Sequence, residues 1–325
     1  LVRAAFLTDP VTDFDVTKDS TLSLLRAAQR RGWQVFQFEQ QHLSLKRGKA
    51  VASAFAFALL GRFAETLAAQ DALPGPWFRC RDVGEVELGS FDVVFMRKDP
   101  PFNMRYIYST YLLERASNLG TLVVNRPDSL RDCNEKLFAS EFEGCHPPLV
   151  VTQDAEVIRE FASEHGDVIL KQLDGMGGAG VFLVRAGDPN LSVMIEMLTE
   201  HSQVPIMAQQ YIPEIRQGDK RILLINGEPA PFALARIPAA GETRGNLAAG
   251  GHGEVRELSE RDKWIARQIA PVAKERGLLF VGIDVIGEYL TEINITCPTC
   301  VREIEAHTGV DLAERLIDHV AARLS

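Results

Sequence analysis

The chain has 325 residues, 46% of them hydrophobic, and a formal net charge of −9. That is ample material for a buried core and for two or three structural units. The acidic balance and the lack of a basic stripe argue against a nucleic-acid partner, and the longest apolar stretch, near residues 50–60, is too short to span a bilayer.

Residues 3–7 read as a first strand that ends in the turn Thr8-Asp9-Pro10. Asp19 or Ser20 caps a helix that runs to Arg31 and stops at Gly32. Residues 35–38 form a second strand. The segment 41–89 is rich in Ala, Phe and Leu near its middle and carries Pro74-Gly75-Pro76; a helix with irregular connections is expected there. Residues 91–96 make another strand, broken by Lys98-Asp99-Pro100-Pro101, and a helix over 106–118 and a strand over 121–124 follow. Strands alternating with helices predict a parallel α/β unit, whose ligand loops lie at the carboxyl ends of its strands.

A second unit starts near Asp132, with a helix over 134–142, a strand Leu149–Thr152, a helix Ala155–His165 and a strand over 168–171. The glycine-rich turn 175–180 then leads to the strand Val181–Val184, giving a hairpin whose tip can fold over a ligand. The third unit opens near Gln210. Strands over 221–225 and 230–235 flank Asn226-Gly227, a strong hairpin signal. Residues 239–253 read as a long flexible loop. A helix over 262–277, the strand Phe280–Ile286, a strand around Thr291-Glu292-Ile293-Asn294-Ile295 and a last helix Leu312–Leu324 complete the chain.

Residues two apart in a strand share a face, so Glu292 and Asn294 point the same way. Antiparallel pairing across Gly287-Glu288 would bring Asp284 to them. Two carboxylates and an amide can hold one or two Mg²⁺ ions whose remaining ligands are phosphate oxygens and water; alone, the trio reads equally as a solvated strand face. Lys136 and Lys171 are candidate phosphate cations. Lys171 ends an apolar strand and precedes Gly175-Met176-Gly177-Gly178, whose backbone N–H groups are free to aim at phosphate oxygens. Alone, each lysine is an ordinary surface residue and the turn an ordinary hairpin. Gln209-Gln210-Tyr211-Ile212 follows a strand and can offer backbone groups to an adenine edge. Arg221, Arg236 and Arg244 are candidate clamps for planar anions, with Arg244 placed in the glycine-rich loop as part of a closing lid. The seven histidines are scattered and no nucleophile elbow or zinc-protease motif occurs. Five sparse cysteines do not make a disulfide scaffold and fit a reducing compartment; Cys297-Pro298-Thr299-Cys300 has no second pair at zinc spacing.

Taken in order, these segments resemble the bacterial glutathione synthetases of the ATP-grasp superfamily. The resemblance rests on Thr8-Asp9-Pro10, Lys18-Asp19-Ser20, Met96-Arg97-Lys98-Asp99-Pro100-Pro101-Phe102, Asn125-Arg126-Pro127 and Ser129-Leu130-Arg131-Asp132-Cys133-Asn134-Glu135-Lys136-Leu137. It continues through Leu173-Asp174-Gly175-Met176-Gly177-Gly178, Gly218-Asp219-Lys220-Arg221, Ala235-Arg236-Ile237-Pro238 and Gly241-Glu242-Thr243-Arg244-Gly245-Asn246-Leu247-Ala248-Ala249-Gly250-Gly251. It implies an α/β protein with an N-terminal pre-ATP-grasp domain (1–132), a central lid subdomain (133–209) and a C-terminal subdomain with the metal site (210–325), the last two sandwiching ATP. The implied reaction joins γ-glutamylcysteine to glycine through an acyl phosphate, with ATP as co-substrate and Mg²⁺ or Mn²⁺ as cofactor.

By the same resemblance Lys136, Lys171 and the glycine turn hold the ATP phosphates, Gln209, Gln210, Tyr211 and Ile212 form the adenine hinge, and Asp284, Glu292 and Asn294 bind metal. Arg221 and Arg236 face the transferred phosphoryl group, Arg244 rides the closing loop, Asp19 and Ser20 lie near the dipeptide and Arg302 clamps a carboxylate. A cytoplasmic homotetramer without membrane or nucleic-acid partners is implied; Leu1 is not a methionine, so a few residues are expected to precede it, and nothing visible reads as a secretory signal. The sequence departs from the family at Cys297, where serine is usual, which bears on substrate contacts and raises a regulatory Cys297–Cys300 link. Two other classes stay open: a different ATP-grasp carboxylate–amine ligase, and a non-catalytic ATP-binding regulatory module.

Overall fold

The computed structural model describes residues 1–61, 63, 76–239, 241, 245 and 250–325, and among these the strands form three sheets. β1 (Arg3–Thr8) is an apolar run buried on both faces, the signature of a strand with helices packed on either side. It pairs in parallel with β2 (Gln34–Glu39).

Of the segment 41–89, residues 62 and 64–75, where part of the expected helix falls, lie outside the described residues, and Phe63 is helical; most of the described remainder is extended, which corrects the expectation there. This extended part forms an antiparallel ribbon of β3 (Leu43–Lys46), β4 (Lys49–Leu59) and β5 (Phe78–Glu87), with β4 also pairing β2. Alanine favours a helix in isolation, but here it occupies every second position from Ala50 to Ala58, with Val51, Ser53, Phe55, Phe57 and Leu59 between. A two-residue period sends alternate side chains to opposite faces. Ala50, Ala52 and Ala54 pack into one core and Phe57 and Leu59 into the other.

The sheet is finished in parallel by β6 (Val93–Met96) and β7 (Leu122–Val124). α1 (Ser20–Arg30), capped by the Asp19 side chain, covers one face with Leu22 and Leu25; α2 (Met104–Ser117), capped by Asn103, covers the other with Tyr106 and Leu113. A short α3 (Pro127–Asp132) leads out.

The expected helix over 134–142 is also corrected: a single 3₁₀ turn, Phe138–Glu141, stands there. The Asn134 side chain accepts from the N–H groups of Lys136 and Leu137, and the carbonyl of Glu135 accepts from Ile293 at 2.8 Å. Backbone groups spent on a side chain and on a distant strand cannot continue an α-helical ladder.

The second sheet runs β10-β9-β11-β8, built from β8 (Leu149–Thr152), β9 (Val168–Gln172), β10 (Val181–Val184) and β11 (Ile206–Gln210), all antiparallel neighbours. α4 (Ala155–His165) and α5 (Leu191–Leu198) close a separate small core around Ile158, Leu170, Ile195 and Ile206. The third sheet runs β14-β13-β12-β15-β16, from β12 (Asp219–Ile225), β13 (Glu228–Ile237), β14 (His252–Glu257), β15 (Phe280–Ile286) and β16 (Tyr289–Asn294). Asn226 and Gly227 both take positive φ between β12 and β13, as a tight hairpin requires. α6 (Glu260–Glu275), α7 (Val301–Thr308) and α8 (Leu312–Leu324) flank this sheet.

The first and third sheets share their cores: Ala5, Leu7 and Met96 belong to the same apolar cluster as Ile222, Ile283 and Ile293. Asn125 fastens the two together. Its buried amide nitrogen donates to the carbonyls of Phe280 and Ile295, each at 2.7 Å, and its oxygen accepts from Phe280 N–H at 2.9 Å. Asn125→Ala strands three buried backbone groups, so it is expected to cost about 2–4 kcal/mol of unfolding free energy, read as a lower urea midpoint.

Candidate active site

A cleft of about 310 Å³ opens between the second and third sheets, with the Asp99-Pro100 turn of the first at one end. Its floor is set by strand register. Arg221 on β12 lies opposite Asp284 on β15, which lies opposite Glu292 on β16; Asp219 pairs with Arg236 across β12 and β13. Asn294 follows Glu292 by two residues and reaches the same face, its side-chain nitrogen donating to Asp284 Oδ2 at 3.1 Å.

Asp284 is the hub. Arg221 donates to both of its carboxylate oxygens, through Nη2 at 2.9 Å and through Nε, and Arg236 Nη2 stands 2.9 Å from Oδ2. Arg236 also pairs with Asp219. All four side chains sit in the buried floor or its rim. Burial alone would raise the Asp284 carboxyl, but the two guanidiniums outweigh it and hold it well below the usual carboxylate range. Asp219 goes the other way: burial, with Asp284 beside it, pushes it up to about 6 despite Arg236. Among the described residues, one Asp219 oxygen and Arg236 Nε are buried without a hydrogen-bond partner.

The opposite wall carries Lys171, buried on β9, with its ammonium 3.4 Å from the carbonyl of Thr291. Burial pulls it down to about 8, against the raising effect of Glu292. Lys136 reaches in from the chain before the second sheet, donating to Gly175 O at 2.6 Å and standing 3.5 Å from Glu292. Gly175, Met176, Gly177 and Gly178 form the rim above these ammoniums. Gly177, Gly178 and Gly180 all have positive φ, which residues with a Cβ rarely adopt, so the turn depends on glycine. Gln209, Tyr211 and Ile212 line the cleft; Gln210 is not part of the lining, as alternation along the strand dictates.

The structure thus gathers Lys136, Lys171, the glycine turn, Arg221, Arg236, Asp284, Glu292 and Asn294 around one space. Asp19, Ser20 and Arg302 lie off its wall. Asp19 caps α1, Ser20 Oγ accepts from Val301 N–H at 3.1 Å, and Arg302 donates to the carbonyl of Val16. Arg244 is outside the described residues, but Gly245 lines the cleft so closely that a Cβ there would stand 2.6 Å from Arg236 O. Sequence reasoning missed Asp219 and Glu135. Asp219 precedes Arg221 by two residues on one strand, and that period was the available signal. Glu135 accepts from Ile295 N–H, Thr296 N–H and the Thr296 hydroxyl at 2.8–3.1 Å, tying the end of β16 to Lys136. Cys297 lines the cleft and Cys300 is buried; both are free thiols, and burial raises each, away from the thiolate.

Among the described residues no three His, Cys, Asp or Glu side chains converge on one point as a metal cage. The donors present are two carboxylates and an amide, all hard oxygens. That set suits Mg²⁺, which is commonly held by one or two carboxylates with phosphates and water completing its shell.

A family model described as the prokaryotic glutathione synthetase ATP-grasp domain matches residues 135–309, and one described as the prokaryotic glutathione synthetase N-terminal domain matches residues 2–131. A glutathione synthetase of Pseudomonas aeruginosa is 54% identical over 324 residues, covering 100% of this chain and 99% of that protein. One of Vibrio vulnificus is 51% identical, covering 100% and 98%, and one of Escherichia coli 49%, covering 100% and 99%. Among solved structures, D-cycloserine synthetase DcsG matches with a TM-score of 0.68 at 14% identity, over 99% of this chain and 100% of that one. The ATP-grasp ligase PsnB, complexed with a phosphomimetic precursor variant, Mg and ADP, matches with a TM-score of 0.63 at 20% identity, over 100% and 99%. At such identities the likeness is one of fold.

Removing the hub leaves two buried guanidiniums short of a counter-charge. Asp284→Ala is expected to lower stability by about 3–5 kcal/mol at neutral pH, and Asp284→Ala with Arg221→Met by less than the sum of the single changes. Urea unfolding of the four proteins closes that cycle.

Proposed function

The chain belongs to the prokaryotic glutathione synthetase family, and on that premise we propose how its cleft joins γ-glutamylcysteine to glycine at the expense of ATP. The observation that carries the reading is the meeting of four cations, Lys136, Lys171, Arg221 and Arg236, with three oxygen donors, Asp284, Glu292 and Asn294, across two sheets that face each other.

A carboxylate is a poor electrophile, so it must be activated before an amine can attack. Its oxygen takes the γ-phosphoryl group of ATP, giving an acyl phosphate and ADP; the glycine amine then attacks the acyl carbon, and phosphate leaves with the C–O bonding pair. Positioning and charge stabilisation are the protein's contributions to such a transfer. In this assignment Lys136 and Lys171 neutralise the phosphates, and the N–H groups of Gly175–Gly178 close over them. Arg221 and Arg236 hold the transferred phosphoryl group, their planes fixed beforehand by Asp284 and Asp219. The backbone at Gln209–Ile212 receives the adenine, and Arg244 closes with its loop. Asp284, Glu292 and Asn294 would hold Mg²⁺ or Mn²⁺, which when bound supplies further positive charge at the phosphates. Asp19, Ser20 and Arg302 serve the dipeptide end.

The same reading divides the chain into an N-terminal unit (1–132), a lid (133–209) and a metal-bearing unit (210–325), and takes the assembly to be a cytoplasmic homotetramer. No described helix is long and apolar enough to cross a membrane. A related carboxylate–amine ligase with another acceptor is the second reading, favoured by Cys297 on the cleft wall, where a thiol is a weaker hydrogen-bond donor than a hydroxyl.

ADP release measured over a panel of dipeptides and acceptor amino acids separates these. Release with γ-glutamylcysteine and glycine is the expected result; release only with another pair supports the second reading, and tight ATP binding without release under any pair rejects both.

Lys171 gives a pH signature. In the free protein its ammonium is lost as pH rises through about 8. Bound phosphates favour the charged form, so KM for ATP is expected to climb above that pH by up to ~10-fold per unit. Lys171→Met should show a high KM at every pH and lack that limb.

A further inference from the structure

Among the described residues five carboxylates line the cleft: Asp99, Glu135, Asp219, Asp284 and Glu292. Asp219 and Asp284 are tied to arginines, and Glu292 stands by Lys136 among the metal donors. Asp99 is exposed on its turn. Glu135 differs from all four. Its Oε1 accepts from Ile295 N–H at 3.0 Å, from Thr296 N–H at 3.1 Å and from the Thr296 hydroxyl at 2.8 Å. Three donors converging on one oxygen fix the plane of the carboxylate. No described residue donates to the other oxygen, Oε2, and no described cation pairs with the group.

Its place in the cleft suits one step of the reaction. Lys136, the next residue, stands 3.5 Å from Glu292, so Glu135 borders the region assigned to the phosphates. In an acyl phosphate the acyl carbon is one oxygen away from phosphorus, and the amine must arrive beside that region. An amino acid enters as an ammonium, which has no lone pair to attack with until it gives up a proton. The lysines and arginines of the cleft repel it, and the paired carboxylates are committed elsewhere. A carboxylate with one oxygen locked and the other free supplies both a counter-charge and a proton acceptor. Burial raises the Glu135 carboxyl above its ordinary value, against the pull of the Thr296 and Ile295 donors, and a raised carboxylate is the stronger base.

We propose that Glu135 receives the ammonium of the acceptor amino acid at Oε2 and takes its proton, while Oε1 stays bound to Ile295 and Thr296. The inference rests on the ligase reading above. One proton passes from the ammonium to Oε2, which frees the nitrogen lone pair. That pair forms the C–N bond at the acyl carbon, and the C–O bond breaks with its pair leaving on phosphate. Phosphate carries off the second proton of the nitrogen, the third remains as the amide N–H, and Glu135 returns its proton to water. The hydrogen bonds to β16 hold the acceptor oxygen still through these steps, so the same contacts that tie the strand down also aim the base.

The test is ADP release by the full chain with ATP, γ-glutamylcysteine and either glycine or hydroxylamine as acceptor, the second read also as hydroxamate. Hydroxylamine is uncharged at neutral pH and attacks an acyl phosphate without first surrendering a proton. Wild-type release with neither acceptor rejects the ligase reading, and this proposal with it. Glu135→Gln keeps an oxygen for Ile295 and Thr296 but removes the base. It is expected to lower the ratio of glycine- to hydroxylamine-supported release by roughly 100- to 1,000-fold, the scale of general base catalysis. Glu135→Asp, which keeps the charge but withdraws it by a methylene, should give a ratio between those of Glu135→Gln and wild type. A side chain that served only to hold β16 and Lys136 in place would slow both acceptors alike. A wild-type ratio in Glu135→Gln, whether both rates fall together or neither falls, therefore overturns the proposal. If Glu135→Gln does not fold, recognised by loss of ATP binding, the Glu135→Asp ratio decides: a lowered value supports the assignment and a wild-type value overturns it.

Discussion

Two guanidiniums share one carboxylate at the floor of the cleft, and much of the molecule is arranged around keeping that carboxylate in place. Asp284 sits on β15 between Arg221 of β12 and Glu292 of β16, a placement that follows from register alone. The attraction is strong because the group is withdrawn from water, and the same withdrawal makes any unpaired member expensive. The arginines are therefore oriented before substrate arrives, and their free donors point where the fold allows. Preorganisation of this kind avoids a reorganisation cost during the reaction.

Above the floor, the charge pattern is divided between elements that reach the cleft by different routes. Lys171 comes from the second sheet, Lys136 from the segment before it, and the two arginines from the third sheet. Glu135 links these routes, since its side chain fixes the end of β16 while the next residue supplies an ammonium. The cleft in this way balances fixed positive and negative groups at close range.

Much of this was legible in the residues. α4 and α8 fall where the apolar periods end them, because long amphipathic segments with clear caps leave one solution, and β15 is a mostly apolar run that stops at Gly287. The Glu292–Asn294 spacing already put both on one face, and the Asn226-Gly227 hairpin followed from a turn that needs positive φ. What failed had physical causes. Alanine's helix preference masked the two-residue period of β4, whose small side chains allow α2 to lie close. The stretch after Asn134 looked helical because its competing partner, the backbone of β16, lies more than a hundred residues away. α5, α7 and β14 were not anticipated, and Asp219 was passed over although its two-residue spacing from Arg221 puts both on one face; only its partner Arg236 depends on a register that no local pattern states.

The three sheets do not share their apolar interiors equally. The first and third are fused through one cluster and pinned by Asn125, whereas the four-stranded sheet packs around its own small interior. Among the described residues no apolar cluster joins it to the fused pair, so a tilt of that sheet would leave intact the frame that aims the arginines.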